Sequence, residues 1–408
     1  MQTTNINTDE SQKALASKTV YSILFSISFA HLLNDLLQAV IPAAYPILKE
    51  NYDLDFTQIG MITFSYQLAA SLLQPFVGFY TDKHPKPYSQ IIGMLFTAAG
   101  IITLSYAGSF AVILLSVILV GIGSSIFHPE SSRVSYLASG GKRGLAQSIF
   151  QIGGNTGTAI SPLLIAWIVV PHGQRYIIWF VLLTVVAMAV LARIARWYQN
   201  HLELTSKKKI VLENLPNLSQ ARIVSAIVIL LVMIFSKYFY IASISSYFTF
   251  YLIDKFGLSV ADAQFHLFLF LLAVAAGTLL GGPLGDKFGR KYIIWFSVLG
   301  AAPFTLLLPY ADLFWTGVLS VVIGLIMASA FPAILVYAQE LLPKKLGMVS
   351  GLFYGFAFGM GGLGSAVLGR LIDQTSLEYV YGICAYLPLI GVIAWFLPNL
   401  KKSDKGHA

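Results

Sequence analysis

Gly282-Pro283-Leu284-Gly285-Asp286-Lys287-Phe288-Gly289-Arg290-Lys291 decides how this chain is read, because a worn copy stands earlier, at Gly78-Phe79-Tyr80-Thr81-Asp82-Lys83-His84-Pro85-Lys86-Pro87. The aspartates, Asp82 and Asp286, lie 204 residues apart, half of the 408-residue length. Each copy joins two long apolar runs. A second pair of landmarks keeps nearly the same offset: Pro129 followed by Gly144, and Pro332 followed by Lys344-Lys345-Leu346-Gly347. Two landmarks recurring at one period imply a duplicated membrane unit.

Composition agrees. Hydrophobic residues make up 57% and charged residues 11%, where a soluble domain would carry about a quarter charged. Twelve runs of roughly the ~20 apolar residues needed to cross a bilayer can be drawn. Six fall in residues 21–198 and six in 223–397. Lipid offers backbone groups no water, so these runs are predicted to be helices, too uniformly apolar for barrel strands. The predicted fold is an all-α integral membrane protein, two six-helix halves around a central cavity. Residues 1–20 form a polar tail without signal-peptide features, 199–222 a linker carrying Lys207-Lys208-Lys209, and 398–408 a second tail.

The net charge of +8 is topological and does not point to nucleic acid. With both termini cytoplasmic, the inner loops and tails hold 20 of the 26 Lys and Arg, and the outer segments hold Lys49, Arg175, Lys255 and Arg370. That bias fixes orientation. Cys384 is the single cysteine, so no internal disulfide and no thiol metal cluster can form. No cofactor or metal is called for, and no Gly-x-x-x-x-Gly-Lys-Ser/Thr nucleotide loop occurs.

Ionisable groups inside spans cost ~2.5–3.5 kcal/mol each on insertion scales, so they mark function or tight pairing. Span one holds His31-Leu32-Leu33-Asn34-Asp35, with His31 and Asp35 four apart on one face. Span four holds His128-Pro129-Glu130-Ser131-Ser132-Arg133, where Glu130 and Arg133 share a face beside a proline kink. Span seven holds Lys237 near the midplane, at a depth matching Asp35 in the other half. One reading is structural: ion pairs Glu130–Arg133 and Asp35–Lys237 that set helix register. The other gives protons to Asp35 and Glu130, with His31 and His128 as relays, and a small anion to Arg133 and Lys237. Glu130 is the first choice as proton carrier, because Arg133 can release it when substrate arrives. The glycines Gly153, Gly154 and Gly157 of span five and Gly355, Gly359, Gly361, Gly362 and Gly364 of span eleven predict close helix crossings, on which the halves can also rock.

The Asp286 decapeptide and its copy resemble the signature loop of the major facilitator superfamily, found between the second and third spans of each half. The resemblance implies a conformational latch built on Asp82, Lys83, Asp286, Lys287, Gly289 and Arg290. With Pro85 in place of the glycine and Pro87 at the last basic position, the first loop is expected to latch less well. It also implies a monomer. Gly157-Thr158-Ala159-Ile160-Ser161-Pro162 resembles the glycine-proline motif of exporters, with Ser161 for the usual glycine, while Val117 stands where exporters often carry arginine.

Span one's His31 to Asp35, the stretch Phe127 to Arg133, Ala138 to Gly144 and Ala146 to Asn155 resemble the fosmidomycin resistance family within that superfamily. That implies a bacterial inner-membrane antiporter exporting phosphonate antibiotics such as fosmidomycin or fosfomycin, driven by protons, with Gln151 and Asn155 joining Arg133 at the substrate. Proton symport for uptake of an organic anion would use the same residues. An intramembrane enzyme is disfavoured: no His-Glu-x-x-His pair or Gly-x-Ser-x-Gly turn occurs. A sensor would be expected to carry a sizeable soluble signalling domain.

Overall fold

The computed structural model describes residues 19–205, 218–342 and 345–399. The expected tails up to residue 18 and from residue 400, the linker stretch 206–217 with its lysine run, and Lys344 lie outside the described residues.

The expected all-α fold is observed, with no strand among the described residues. Twelve helical spans run in order. The first six are α1 (Tyr21–Tyr52), α2 (Phe56–Lys83), α3 (Ser89–Ser105), α4 (Phe110–Leu137), α5 (Arg143–His172) and α6 (Gln174–Glu203). The second six are α7 (Gln220–Phe256), α8 (Val260–Phe288), α9 (Arg290–Tyr310), α10 (Leu313–Leu341), α11 (Leu346–Gln374) and α12 (Leu377–Phe396). Ten are long and apolar enough to cross a membrane; α3 is apolar but shorter, and α2 is long but more polar. Large side chains such as Phe76, Trp167, Phe314 and Trp395 point outward, as the lipid-facing wall of a bundle requires.

How the helices begin divides most of them into two classes, although α7, which starts at the loop-aspartate end, is capped by Ser219. Of the six spans that start at the end remote from the loop aspartates, all but α6, which follows Gly173, carry their own N-caps. Asp55 forms a capping box with Gln58, and Ser109, Ser259, Asp312 and Ser376 each accept from a backbone N–H of the first turn. The spans α3, α5, α9 and α11 start at the loop-aspartate end and have no side-chain cap of their own. Two of them, α5 and α11, meet an aspartate from the opposite half.

The halves join through two antiparallel pairs, α2 with α11 and α5 with α8. The backbones of α2 and α11 touch along their whole length: a Cβ on Gly78 would lie 2.3 Å from the Gly347 carbonyl, and one on Gly351 2.5 Å from that of Gln74. Glycine is therefore obligatory along this seam.

Candidate functional site

A cavity of about 210 Å³ lies between the halves. Its wall draws on Gln38 of α1, Gln67 of α2, Gln151 and Asn155 of α5, Lys237 of α7 and Phe331 of α10. Lys237 is 3% exposed. Its Nζ lies 5.6 Å from the Tyr238 ring and 5.7 Å from that of Phe331. Among the described residues it has no ion-pair or hydrogen-bond partner, and no carboxylate lines the cavity. The Asp35–Lys237 pair is not formed, because Asp35 faces α4 and α5 instead.

Hydrogen bonds join the two halves on both sides of the cavity. Toward the loop aspartates, Tyr354 of α11 donates to Gln151 Oε1 at 2.6 Å and accepts from Gln147 at 3.0 Å, while Asn155 donates to Thr278 Oγ1 at 2.6 Å. A second layer joins Ser132 and Ser350 at 3.2 Å, with Gln339 donating to Ser350 at 3.0 Å. On the remote side Gln264 donates to the Ala43 carbonyl at 3.1 Å. There too the Asp373 carboxylate of α11 accepts from the Phe56 and Thr57 amides of α2 at 3.3 and 2.8 Å. The halves are thus bonded to each other at both ends of the cavity.

Next to the cavity, the structure brings together three of the proposed proton-handling residues. His31 Nε2 is 3.0 Å from Asp35 Oδ2, and His128 Nε2 is 3.5 Å from Asp35 Oδ1. Both rings are buried, and Asp35 keeps 18% of its side chain exposed. His31 stacks on Phe150 with ring centroids 4.0 Å apart, and His128 packs on Tyr354 and Phe358. A Cβ on Gly154 would lie 2.5 Å from Asp35 Oδ2 and from His31 Nε2, so only glycine lets α5 close over the pair. Ser124 links the group to the cavity wall, 3.2 Å from His128 Nδ1 and 3.4 Å from Gln38 Oε1. The three side chains are close enough to share one cation, their ligand atoms lying within 4.8 Å of one another. The expectation of no metal rested on cysteine and does not bear on this cluster.

Glu130 and Arg133 lie elsewhere. Arg133, expected on the substrate, does not line the cavity. Its long side chain reaches the end of α2, donating to Asp82 and to the Thr81 carbonyl. Glu130 sits 3.7 Å from Arg133 Nη1 and its oxygens accept no hydrogen bond. Asp82 also accepts from the Gly347 and Met348 amides at 3.2 and 3.0 Å, capping the otherwise uncapped α11. The worn loop is thus well bonded; losing glycine at position 85 alters the turn and leaves the reach of Asp82 intact. In the second copy Arg290 bridges Asp286 at 2.8 Å and Glu340 at 2.5 Å. The Asp286 carboxylate lies where a Cβ on Gly144 would come within 2.4 Å, at the start of α5. Gly289 holds φ +100, open to glycine alone, while Lys83 and Lys287 extend outward over Phe79 and Phe288.

Several residues of the site escaped the sequence reading. Gln38 follows Asp35 by one helical turn and carries a hydrogen bond from Tyr66, a spacing that could have drawn attention to it. Tyr354, Glu340 and Asp373 gave no pattern of their own, because each acts on a distant helix.

The sequence model of the Major Facilitator Superfamily matches residues 27–260 and 230–408. The chain is 60% identical over 390 residues to the fosmidomycin resistance protein of Escherichia coli (strain K12), covering 95% of each. It is 45% identical to the uncharacterized MFS-type transporter YfnC of Bacillus subtilis (strain 168), covering 96% of each. Among solved structures it resembles the human organic anion transporter MFSD10 (TM-score 0.71, 15% identity, 93% of this chain and 100% of that one). It also resembles the superfamily transporter FucP in its outward conformation (TM-score 0.67, 16% identity, 94% and 100%). Twelve spans in two halves, a cavity between them and a match along the whole chain lead to one conclusion: this protein belongs to the major facilitator superfamily and is a multi-pass membrane transporter of a small substrate, not an enzyme.

Proposed function

We propose that the protein exports a small organic anion in exchange for protons, and that the anion is a phosphonate of the fosmidomycin and fosfomycin type. The observation that carries this reading is Lys237: a buried cation on the cavity wall with no carboxylate beside it among the described residues. An unpaired cation in a membrane interior is costly, and an anionic ligand is the partner that offsets the cost. Amides from Gln38, Gln67, Gln151 and Asn155 supply donors for further anionic oxygens. The 60% identical relative is named for fosmidomycin resistance, which supports this anion class and the outward direction.

In this reading the loop aspartates face the cytoplasm with both termini, the membrane is the bacterial inner membrane, and one chain suffices as a monomer. Asp82 with Arg133, and Asp286 with Arg290, latch the cytoplasmic side. Protons pass through the wall of α1 and α4, where Asp35, His31 and His128 cluster. Glu130, the first choice from sequence, is tied to Arg133 and belongs with the latch. A membrane potential of ~150 mV supplies about 3.5 kcal/mol per charge moved, roughly a 300-fold gradient.

The test is uptake of radiolabelled fosmidomycin by everted membrane vesicles. Accumulation on acidifying the lumen, abolished by nigericin, is the expected result. Accumulation by right-side-out vesicles under the physiological gradient would mean uptake and overturn the reading.

A further inference from the structure

We propose that the exchangeable proton is held between the Nε2 atoms of His31 and His128 and the carboxylate of Asp35, and that its departure frees α1 from α4 and α5. The inference rests on the proton-driven reading above. It follows from accounting for ring hydrogens. His31 Nδ1 lies 2.9 Å from the Phe150 carbonyl oxygen, and His128 Nδ1 lies 3.1 Å from that of Ser124. A carbonyl oxygen only accepts, so His31 Nδ1 carries the hydrogen; the Ser124 hydroxyl, 3.2 Å from His128 Nδ1, gives its own hydrogen to Gln38 Oε1 and so accepts as well, which places a hydrogen on His128 Nδ1 too. A neutral imidazole has one N–H, which leaves a lone pair on each Nε2. Those lone pairs meet Asp35 oxygens at 3.0 and 3.5 Å.

Lone pair against carboxylate is repulsive in a buried site, and His31 Nε2 receives no hydrogen bond from any described protein group. The contacts close when a cation stands between the partners. One added proton satisfies the 3.0 Å contact, and a second would satisfy the 3.5 Å one.

The surroundings favour a proton over a metal ion. Around the three groups stand the rings of Phe127, Phe150 and Phe358, and Asp35 Oδ1 already accepts from Asn34 Nδ2 at 2.9 Å. A zinc-like ion would want a fourth ligand. Asp35 pairs with no Lys or Arg among the described residues. The other titratable groups near it are Tyr66 on α2, Tyr238 on α7 and Tyr354 on α11. On α4, Glu130 pairs with Arg133; α5 presents Phe150 and Gly154.

The position couples the proton to the cavity. Gln38, Ala39 and Pro42, the next turns of α1, form part of the cavity wall. Ser124 bridges His128 to Gln38. A change in how α1 seats on α4 and α5 therefore moves the wall that meets substrate.

The experiment has two arms. In detergent-solubilised protein labelled with 15N-histidine, both rings should keep Nδ1–H while neutral and gain the second proton at Nε2. Their titrations should be mutually dependent, and uncoupled in Asp35→Asn. The five other rings are assigned with His84→Gln, His172→Gln, His201→Gln, His266→Gln and His407→Gln. In proteoliposomes Asp35→Asn, whose amide can donate to one Nε2 without an added proton, should exchange fosmidomycin down its own gradient. Its accumulation ratio under a pH gradient should fall to unity.

A neutral Nε2–H tautomer on either ring overturns the proposal. So does gradient-driven accumulation by Asp35→Asn, or a stoichiometric metal ion in wild-type protein that is lost in His128→Ala. If Asp35→Asn does not fold, the wild-type ring titration still decides. Failure of the wild type to transport under a pH gradient would instead sink the proposed function.

Discussion

Asp82 and Asp373 cap each other's helices at opposite ends of one seam. Asp82, in the last turn of α2, accepts from the Gly347 and Met348 amides at the start of α11. Asp373, in the last turn of α11, accepts from the Phe56 and Thr57 amides at the start of α2. The two halves are thus fastened on both faces of the membrane by the same pair of antiparallel helices. Alternating access must release one cap while keeping the other.

The two caps should therefore act in opposite senses. Loss of a charge-assisted hydrogen bond is worth about 1.5–3 kcal/mol, or roughly 10- to 150-fold in a balanced equilibrium. Asp82→Asn should shift the protein toward opening at the loop-aspartate face, and Asp373→Asn toward opening at the other. Spin-label distances across each face provide the measurement. Shifts in the same direction, or none, would reduce both carboxylates to helix caps without a gating role.

Lys237 should affect affinity and stability with opposite sign. Lys237→Met removes the cavity's cation, so fosmidomycin should bind roughly 10- to 100-fold more weakly. The ligand-free protein should melt at a higher temperature, because an unpaired buried charge costing ~2.5–3.5 kcal/mol on insertion scales is gone. Direct binding and thermal melts on the same preparation check both. Unchanged affinity would remove Lys237 from the substrate site.

Glu130 and Asp35 should separate cleanly. Glu130→Gln removes a neighbour of Arg133 and should change the balance of open and closed forms, while pH-driven accumulation survives. Asp35→Asn should abolish that accumulation. The reverse pattern in paired proteoliposome assays would return the proton to Glu130.

Orientation is checked with a single added thiol. Cys384 is buried, so it should stay silent. A cysteine replacing Lys287 should resist an impermeant reagent in intact cells and react in everted vesicles. Labelling from outside would invert the topology.

The duplicated aspartate loops and the apolar runs made the twelve-span fold legible, because lipid forces each run into a helix and the repeat fixes the order. Spacing along one helix also placed His31 beside Asp35 and Glu130 beside Arg133. What it could not supply was the third partner. His128 joins Asp35 from α4, a neighbour that spacing along α1 cannot reveal, while the glycines of α5 let that helix close on α1 from the other side. Arg133 was assigned to substrate by depth, yet a side chain that long reaches a full turn beyond its Cα, and Asp82 was waiting there. The aspartates that meet the starts of α5 and α11 were hidden for a related reason: a helix start lacking its own Ser or Asp reads as a weak boundary until the other half is in view.

Under the proposed function, the lysine in the cavity wall also bears on how broad a resistance the protein can confer. A lipophilic cation entering that space would meet like charge in a low-dielectric setting, with no acidic group among the described lining residues to receive it. A neutral drug would leave the amine without a counterion. Selectivity of this kind arises by exclusion, so the proposed function implies a narrow spectrum: cells overproducing the protein should gain tolerance to small acidic compounds while remaining as sensitive as before to dyes, quaternary ammonium biocides and other cationic agents.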